Sequence, residues 1–172
     1  MNSGTDVGEF EVFVSKDYLT FCSGHFITYD GSLCETLHGH NYRTSIRLGG
    51  DVDVNHYVFN FVTIKRIMKQ VCDELDHRML LPTENPLVHL ETEGENVVAR
   101  YKQRHYSFPR EDVVLLPIPN TTAEMLARHL CGRARQRLAE HGATKLHLIE
   151  IEVEESPGQS AVYRERFQPA AS

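Results

Sequence analysis

The sequence predicts an α+β domain, with two helices lying between an opening pair of strands and a closing pair. Three observations predict it. Stretches of period-two alternation open and close the chain, at about 9–27, 38–48, 145–155 and 160–167. Apolar residues recur at helical spacing between them, at about 61–75 and again from about 120 to 142. The order strand, strand, helix, helix, strand, strand lacks the regular strand–helix alternation of a parallel sheet.

In residues 9–27, Leu19, Phe21 and His25 share one parity, and Tyr29-Asp30-Gly31-Ser32 is a turn signal. Across 38–48, His38, His40, Tyr42, Thr44, Ile46 and Leu48 line one face and Asn41, Arg43, Ser45 and Arg47 the other, before Gly49-Gly50 closes the strand. Phe61, Ile64, Ile67, Met68, Val71 and Leu75 form an amphipathic helical stripe. The second helix starts near Asn120-Thr121-Thr122, which supplies capping side chains, with Glu124 in its first turn. Met125, Leu126, His129, Leu130 and Leu138 mark its buried stripe, where His129 reads as a packed core residue, and His141-Gly142 ends it. The last two strands are joined by Ser156-Pro157-Gly158. The connector from Pro82 to Pro119 is too long to be structureless in a compact domain. Its 97–108 portion alternates and 112–118 is a further apolar run, so an extra hairpin or small sheet is expected there. Residues 168–172 show no pattern and are expected to fray.

At 172 residues, 41% of them hydrophobic and 24% charged, the chain reads as one domain spanning 1–172 with an insertion at about 82–119. No apolar run approaches the roughly 18 residues that span a bilayer. Met1 to Val7 lacks the pattern of a signal peptide, so a cytoplasmic location without membrane contact is expected. The net charge of -6 disfavours nucleic acid but leaves room for a phosphorylated small molecule. Cys22, Cys34, Cys72 and Cys131 show no CxxC pair and read as free thiols, with Cys72 and Cys131 as core residues.

The densest chemistry lies in Cys34-Glu35-Thr36-Leu37-His38-Gly39-His40. In a strand, both imidazoles of a His-x-His pair project from one face. His25 on a neighbouring strand would complete a three-nitrogen site of the kind that holds Zn²⁺ with a position left open for chemistry. Cys34 is then a nucleophile or base beside the metal. In the third strand Ile149, Ile151, Val153 and Glu155 share parity. Glu155 therefore follows the apolar face inward and would need a cationic or hydrogen-bonding partner, unless it ends the strand in solvent.

With Cys34-x-x-x-His38-Gly39-His40-Asn41-Tyr42 set beside Leu75-Asp76-His77, Thr122-Ala123-Glu124, and Glu155 followed by Val162-Tyr163-Arg164, the chain resembles the 6-pyruvoyltetrahydropterin synthase / 6-carboxytetrahydropterin synthase family over about 10–164. The resemblance implies a T-fold (tunnelling fold), an antiparallel sheet with two helices inserted between its second and third strands, and assembly into homo-oligomers, commonly hexamers, with active sites between subunits. It implies zinc on His25, His38 and His40, Cys34 as catalytic base, Asp76 with His77 as a coupled acid/base pair, and Glu155, helped by Thr122 and Glu124, as the holder of the pterin. The substrate it implies is 7,8-dihydroneopterin triphosphate. The four-residue step from Cys34 to His38 is similar to that of bacterial 6-carboxytetrahydropterin synthases, which release acetaldehyde and triphosphate and feed 7-deazaguanine (queuosine) synthesis. The alternatives are 6-pyruvoyltetrahydropterin formation and a non-catalytic pterin-binding relative. The sequence departs from the family pattern at Asn60, where an aspartate is usual, and in the length of the connector. Arg100, Lys102 and Arg104 alternate along 97–108, so a row of cations on one face is expected, either meeting the triphosphate or protecting an edge strand.

Overall fold

The protein, seen in a computed structural model, is described over residues 9–168; Met1 to Val7 and the end expected to fray beyond 168 lie outside the described residues. The chain begins with β1 (Glu11–His25), a small hairpin of β2 (Thr28–Tyr29) and β3 (Leu33–Cys34), β4 (His38–Gly50) and α1 (Phe61–Asp73). The connector holds β5 (Arg78–Pro82), β6 (His89–Glu93), β7 (Asn96–Tyr101), β8 (Arg104–Pro109) and β9 (Val113–Leu116). Then come α2 (Ala123–Glu140), β10 (Leu146–Ser156) and β11 (Gln159–Arg166).

The main sheet has the order β11-β10-β4-β1-β5-β9. Its four long strands are antiparallel, as the alternation implies. The expectation of a wholly antiparallel sheet is corrected at one edge, because β5 runs parallel to β1 and β9 parallel to β5. In β5 Met79, Leu80, Leu81 and Pro82 are all buried. A run covered on both faces has no alternation to read, which is the usual state of a parallel strand. The connector also forms a separate antiparallel sheet, β6-β7-β8.

A bulge in β1 between Ser15 and Thr20 shifts its register against β4. The inward parity passes there from Val12 and Val14 to Leu19, Phe21 and His25, so the bulge turns His25 toward the helical face. That face packs Phe21, Tyr42, Ile46, Leu48, Ile151 and Val153 against Ile64, Met68, Val71, Leu126, Leu130 and Leu138 of the helices. Each such side chain, fully buried, contributes roughly 1.5–3 kcal/mol of transfer free energy. Asn60 caps α1, its Oδ1 accepting from the amides of Val62 and Thr63, so the departure from aspartate leaves the helix start intact. Glu74 at the end of α1 accepts from Arg133 and Arg137 of α2 and ties the helices together. His129 is half-buried on α2, where burial keeps its imidazole neutral to lower pH. A second apolar cluster, including Phe26, Cys34, Met79, Leu81, Val97, Ala99 and Tyr101, joins the β2–β3 hairpin to the connector sheet. Among the described residues no helix is long and apolar enough to cross a membrane.

The expected row of cations is corrected too. Residues 97–108 fold as two strands, with Lys102 at the turn in the left-handed region at φ 50. Arg100 pairs with Glu91 and Glu93, whereas Lys102 and Arg104 reach main-chain carbonyls of the β2–β3 hairpin. The three do not form one free face.

Candidate metal and pterin site

His25 ends β1 and His38 begins β4, directly opposite each other in the ladder, and His40 faces Ser23 two pairs further on. The pleat brings the three imidazoles together, with one ligand atom from each lying within 4.8 Å of the others. Two tautomers are set by main-chain acceptors. A carbonyl can only accept, so Nδ1–H of His25 donates to Thr121 O (3.0 Å) and Nδ1–H of His38 to Thr36 O (2.8 Å). Both rings are left with Nε2 lone pairs for a cation, the arrangement by which outer partners orient metal-binding histidines. Burial, opposed by the Thr121 contact and aided by the neighbouring histidines, lowers the pKa of His25 to about 4, so its ring is neutral at physiological pH. The donor set and its tautomers fit a divalent metal.

Two further groups close on the imidazoles. The buried Tyr42 hydroxyl lies 3.1 Å from His25 Nε2, and its pKa is pushed up by burial and by the charge of Glu155, so it stays protonated. Glu155 Oε1 lies 3.5 Å from His25 Nε2 and 3.4 Å from His40 Nε2. The groups able to donate to the Glu155 carboxylate are the His40 ring and the Tyr42 hydroxyl, since the lone pair on His25 Nε2 cannot.

Above this cluster opens a pocket of about 470 Å³ lined by Ile27, Glu35, His38, His40, Thr122 to Glu124, Glu155 and the start of β11. Thr122 serves as the α2 cap, its hydroxyl accepting from Met125 N at 3.4 Å. Glu124 stands exposed in the first turn. Gln159, Ser160 and Ala161 were not anticipated from the sequence; in the hairpin they pair with Ser156, Glu154 and Val153, and Glu155 is the unpaired residue at the register shift between Glu154 and Ser156.

The other expected catalytic groups are not in this pocket. Cys34 is 8% exposed and sits in the second apolar cluster, with Sγ directed to Glu35 O at 3.5 Å. Burial pushes its thiol above the ordinary range, with Arg104 acting in the opposite direction, whereas a thiol activated in the expected way would be lowered. The carboxylate of its neighbour Glu35 lines the pocket, with Oε2 3.8 Å from His38 Nε2. Asp76 and His77 form a pair at 3.0 Å on the β1–β5 side. Burial raises Asp76, but hydrogen bonds from Cys22 N–H (2.8 Å) and from His77 outweigh it and hold the carboxyl below its ordinary value. His77 is 82% exposed, held at φ 56, and does not line the pocket.

Residues 14–166 match the family described as 6-pyruvoyl tetrahydropterin synthase. A protein of Methanocaldococcus jannaschii named putative 6-carboxy-5,6,7,8-tetrahydropterin synthase is 38% identical over 151 residues, 87% of this chain and 92% of the other. The crystal structure of 6-pyruvoyl tetrahydropterin synthase from Plasmodium vivax superposes with a TM-score of 0.88 at 29% identity, covering 94% of this chain and all of that one. A variant of the same P. vivax enzyme, with a glutamate identified as a catalytic residue replaced by alanine, superposes at 0.87 with the same identity and coverage.

Proposed function

The chain belongs to the 6-pyruvoyl tetrahydropterin synthase family, and from that premise we propose that it converts 7,8-dihydroneopterin triphosphate to 6-carboxy-5,6,7,8-tetrahydropterin, releasing acetaldehyde and triphosphate. Relatives across most of the chain carry the 6-carboxytetrahydropterin synthase name, which supports this product over 6-pyruvoyltetrahydropterin. The observation that carries the reading is the trio of imidazoles, two with Nδ1 locked to carbonyls, of which His38 and His40 line a pocket of about 470 Å³ and His25 is buried beside them. Zinc held by His25, His38 and His40 would act as a Lewis acid on the side-chain hydroxyls of the substrate.

Glu155 lines that pocket and can accept two hydrogen bonds from the amidine-like edge of the pterin, a charge-assisted contact that fixes the ring. Thr122 and Glu124, at the N-terminal end of α2, offer further polar contacts along the same wall. The Asp76–His77 pair, with Asp76 orienting the imidazole, is assigned to the site of a neighbouring copy in a homo-oligomer, since it lines no part of the pocket of its own chain and His77 is exposed. The proton acceptor has two readings. Cys34 is the base that the family pattern implies. Glu35 is favoured by the geometry, because its carboxylate faces the pocket while the thiol lies behind it, and a glutamate is named as catalytic in the P. vivax enzyme.

Incubating the zinc-loaded protein with 7,8-dihydroneopterin triphosphate and identifying products by mass spectrometry tests the reaction. 6-Carboxytetrahydropterin with acetaldehyde supports it, the pyruvoyl product transfers the assignment to the sister activity, and no turnover refutes both. Cys34→Ala and Glu35→Gln, run side by side, assign the base. The variant that loses several orders of magnitude in kcat while keeping zinc and pterin affinity marks the acceptor.

A further inference from the structure

The β2–β3 hairpin, which carries Cys34 and leads into Glu35, is held from two sides. On one side Asn120 brackets Thr28, accepting from its amide at 3.2 Å and donating to its carbonyl at 2.8 Å, and Asn85 donates to its hydroxyl at 2.9 Å. On the other side the turn of the connector sheet supplies three donors from four consecutive residues. The Tyr101 hydroxyl and Lys102 Nζ (2.9 Å) both donate to Ser32 O. The Arg104 guanidinium donates to Cys34 O at 3.2 Å and to Glu35 O. These contacts join segments about 70 residues apart in sequence.

We propose that the β7–β8 turn is a clamp that fixes the Cys34–Glu35 backbone against the imidazole cluster, with Arg104 as a positioning residue for the base. The proposal rests on the catalytic reading above and adds a role for the connector. Four features of the geometry favour it over a solubilising edge. The acceptors are main-chain carbonyls, so what is fixed is the path of the backbone that aims either candidate base. Arg104 spans the two carbonyls that follow Cys34 and Glu35, which limits rotation of the peptide between them. The clamp is seated on apolar contact as well, since Cys34, Tyr101, Val97 and Ala99 share one cluster and Phe26 stacks on Tyr106 of β8 at 5.4 Å. Lys102 is held in the left-handed region at the turn, a conformation uncommon for a residue with a Cβ, and from there its ammonium reaches the hairpin.

A base displaced by about 1 Å from its productive position loses on the order of 100-fold in rate. Arg104→Ala in the zinc-loaded protein is therefore expected to lower kcat by about 10- to 100-fold, with KM for 7,8-dihydroneopterin triphosphate within about twofold and zinc content unchanged. Arg104→Lys, which keeps one donor, should recover part of the loss. Peptide-resolved hydrogen exchange should show amides of residues 33–36 exchanging faster in Arg104→Ala and in Lys102→Ala, with exchange at His38 to Leu48 unchanged. A raised KM with unchanged kcat would overturn the clamp and make Arg104 a phosphate contact. Unchanged exchange at 33–36 would overturn it outright. If the wild type fails to turn over this substrate, the catalytic reading falls, and the exchange experiment still judges the clamp. If Arg104→Ala does not fold, Arg104→Lys and Lys102→Ala read the same amides.

Discussion

Gly39→Ala should weaken metal binding without touching any imidazole. Gly39 lies between His38 and His40 on β4 and faces Gly24 across the ladder to β1. A Cβ built on it would sit 2.9 Å from Ser23 O and 3.5 Å from Gly24 Cα. The first contact is several tenths of an ångström too close, and the atom in the way is main-chain, held in the ladder that pairs Ser23 with His40. The strain therefore relaxes by parting β1 from β4 at this end. His25 belongs to β1 and the other two imidazoles to β4, so the same movement spreads the cluster. Overpacking of this kind costs about 1–3 kcal/mol. The part that the metal-free site can relax is lost again when the three nitrogens must converge, and it lowers affinity; the remainder lowers stability. With tenfold in affinity for every 1.4 kcal/mol, the limits are roughly 5- to 150-fold weaker zinc binding if all the strain falls on the bound form. If all of it falls on the fold, the melting temperature of the metal-free protein drops by roughly 2–4 °C per kcal/mol. Titration against a chromophoric chelator measures the first and calorimetry the second. Zinc affinity and melting temperature both equal to wild type would refute the reasoning, since the strain must emerge in one or the other.

His38→Ala should empty the site while the fold persists, because its imidazole is on the exposed side of the cluster; stoichiometric zinc in that variant by elemental analysis would remove it from the ligand set. Glu155→Gln should weaken pterin binding by one to two orders of magnitude, a loss of about 1.5–3 kcal/mol for a charge-assisted contact, with metal retained. Unchanged affinity for a pterin, measured calorimetrically, would show that the carboxylate serves the imidazoles alone. Metal-free protein should lose stability on acidification through the window set by His25. Its folded pKa is about 4 and its unfolded value 6.5. The unfolded state therefore takes up the proton first, stability is fully present above pH 6.5, and up to about 3 kcal/mol is lost as the pH falls from 6.5 to 4. His25→Asn, compared by urea denaturation across the same range, should show a shallower slope; an equal slope would assign the effect to other groups.

The parts of the fold legible in the sequence are those where one face is dry and the other wet. Tyr42, Thr44, Ile46 and Leu48 are buried at alternate positions, and Ile64, Ile67, Met68 and Val71 at helical spacing, so β4 and α1 could be read by parity and period. β5 could not, since Met79 to Pro82 is covered on both faces and shows only a short apolar run beside a helix end. The β7–β8 turn was hidden for a different reason. Its left-handed position is filled by Lys102, with none of the glycine or asparagine that signals a hairpin, so 97–108 read as one alternating strand.

The candidate site divides along the same line. His25, His38 and His40 lie in a regular stretch of the β1–β4 ladder, which fixes the phase of each side chain, whereas Glu155 shares the parity of Ile149, Ile151 and Val153 but sits at the register shift beyond the last β10–β4 pair. Cys34 and Glu35 lie where β3 ends and the chain turns toward His38, and no period runs through that segment. Adjacent residues there must face different ways, one into the apolar cluster and one into the pocket. Which of them faces the substrate depends on how far the peptide between them is rotated. That rotation is held by Arg104, whose position in the chain carries no local signal of the contact. A motif can therefore name both candidate bases, but their order of approach to the metal site is set by a side chain some seventy residues downstream.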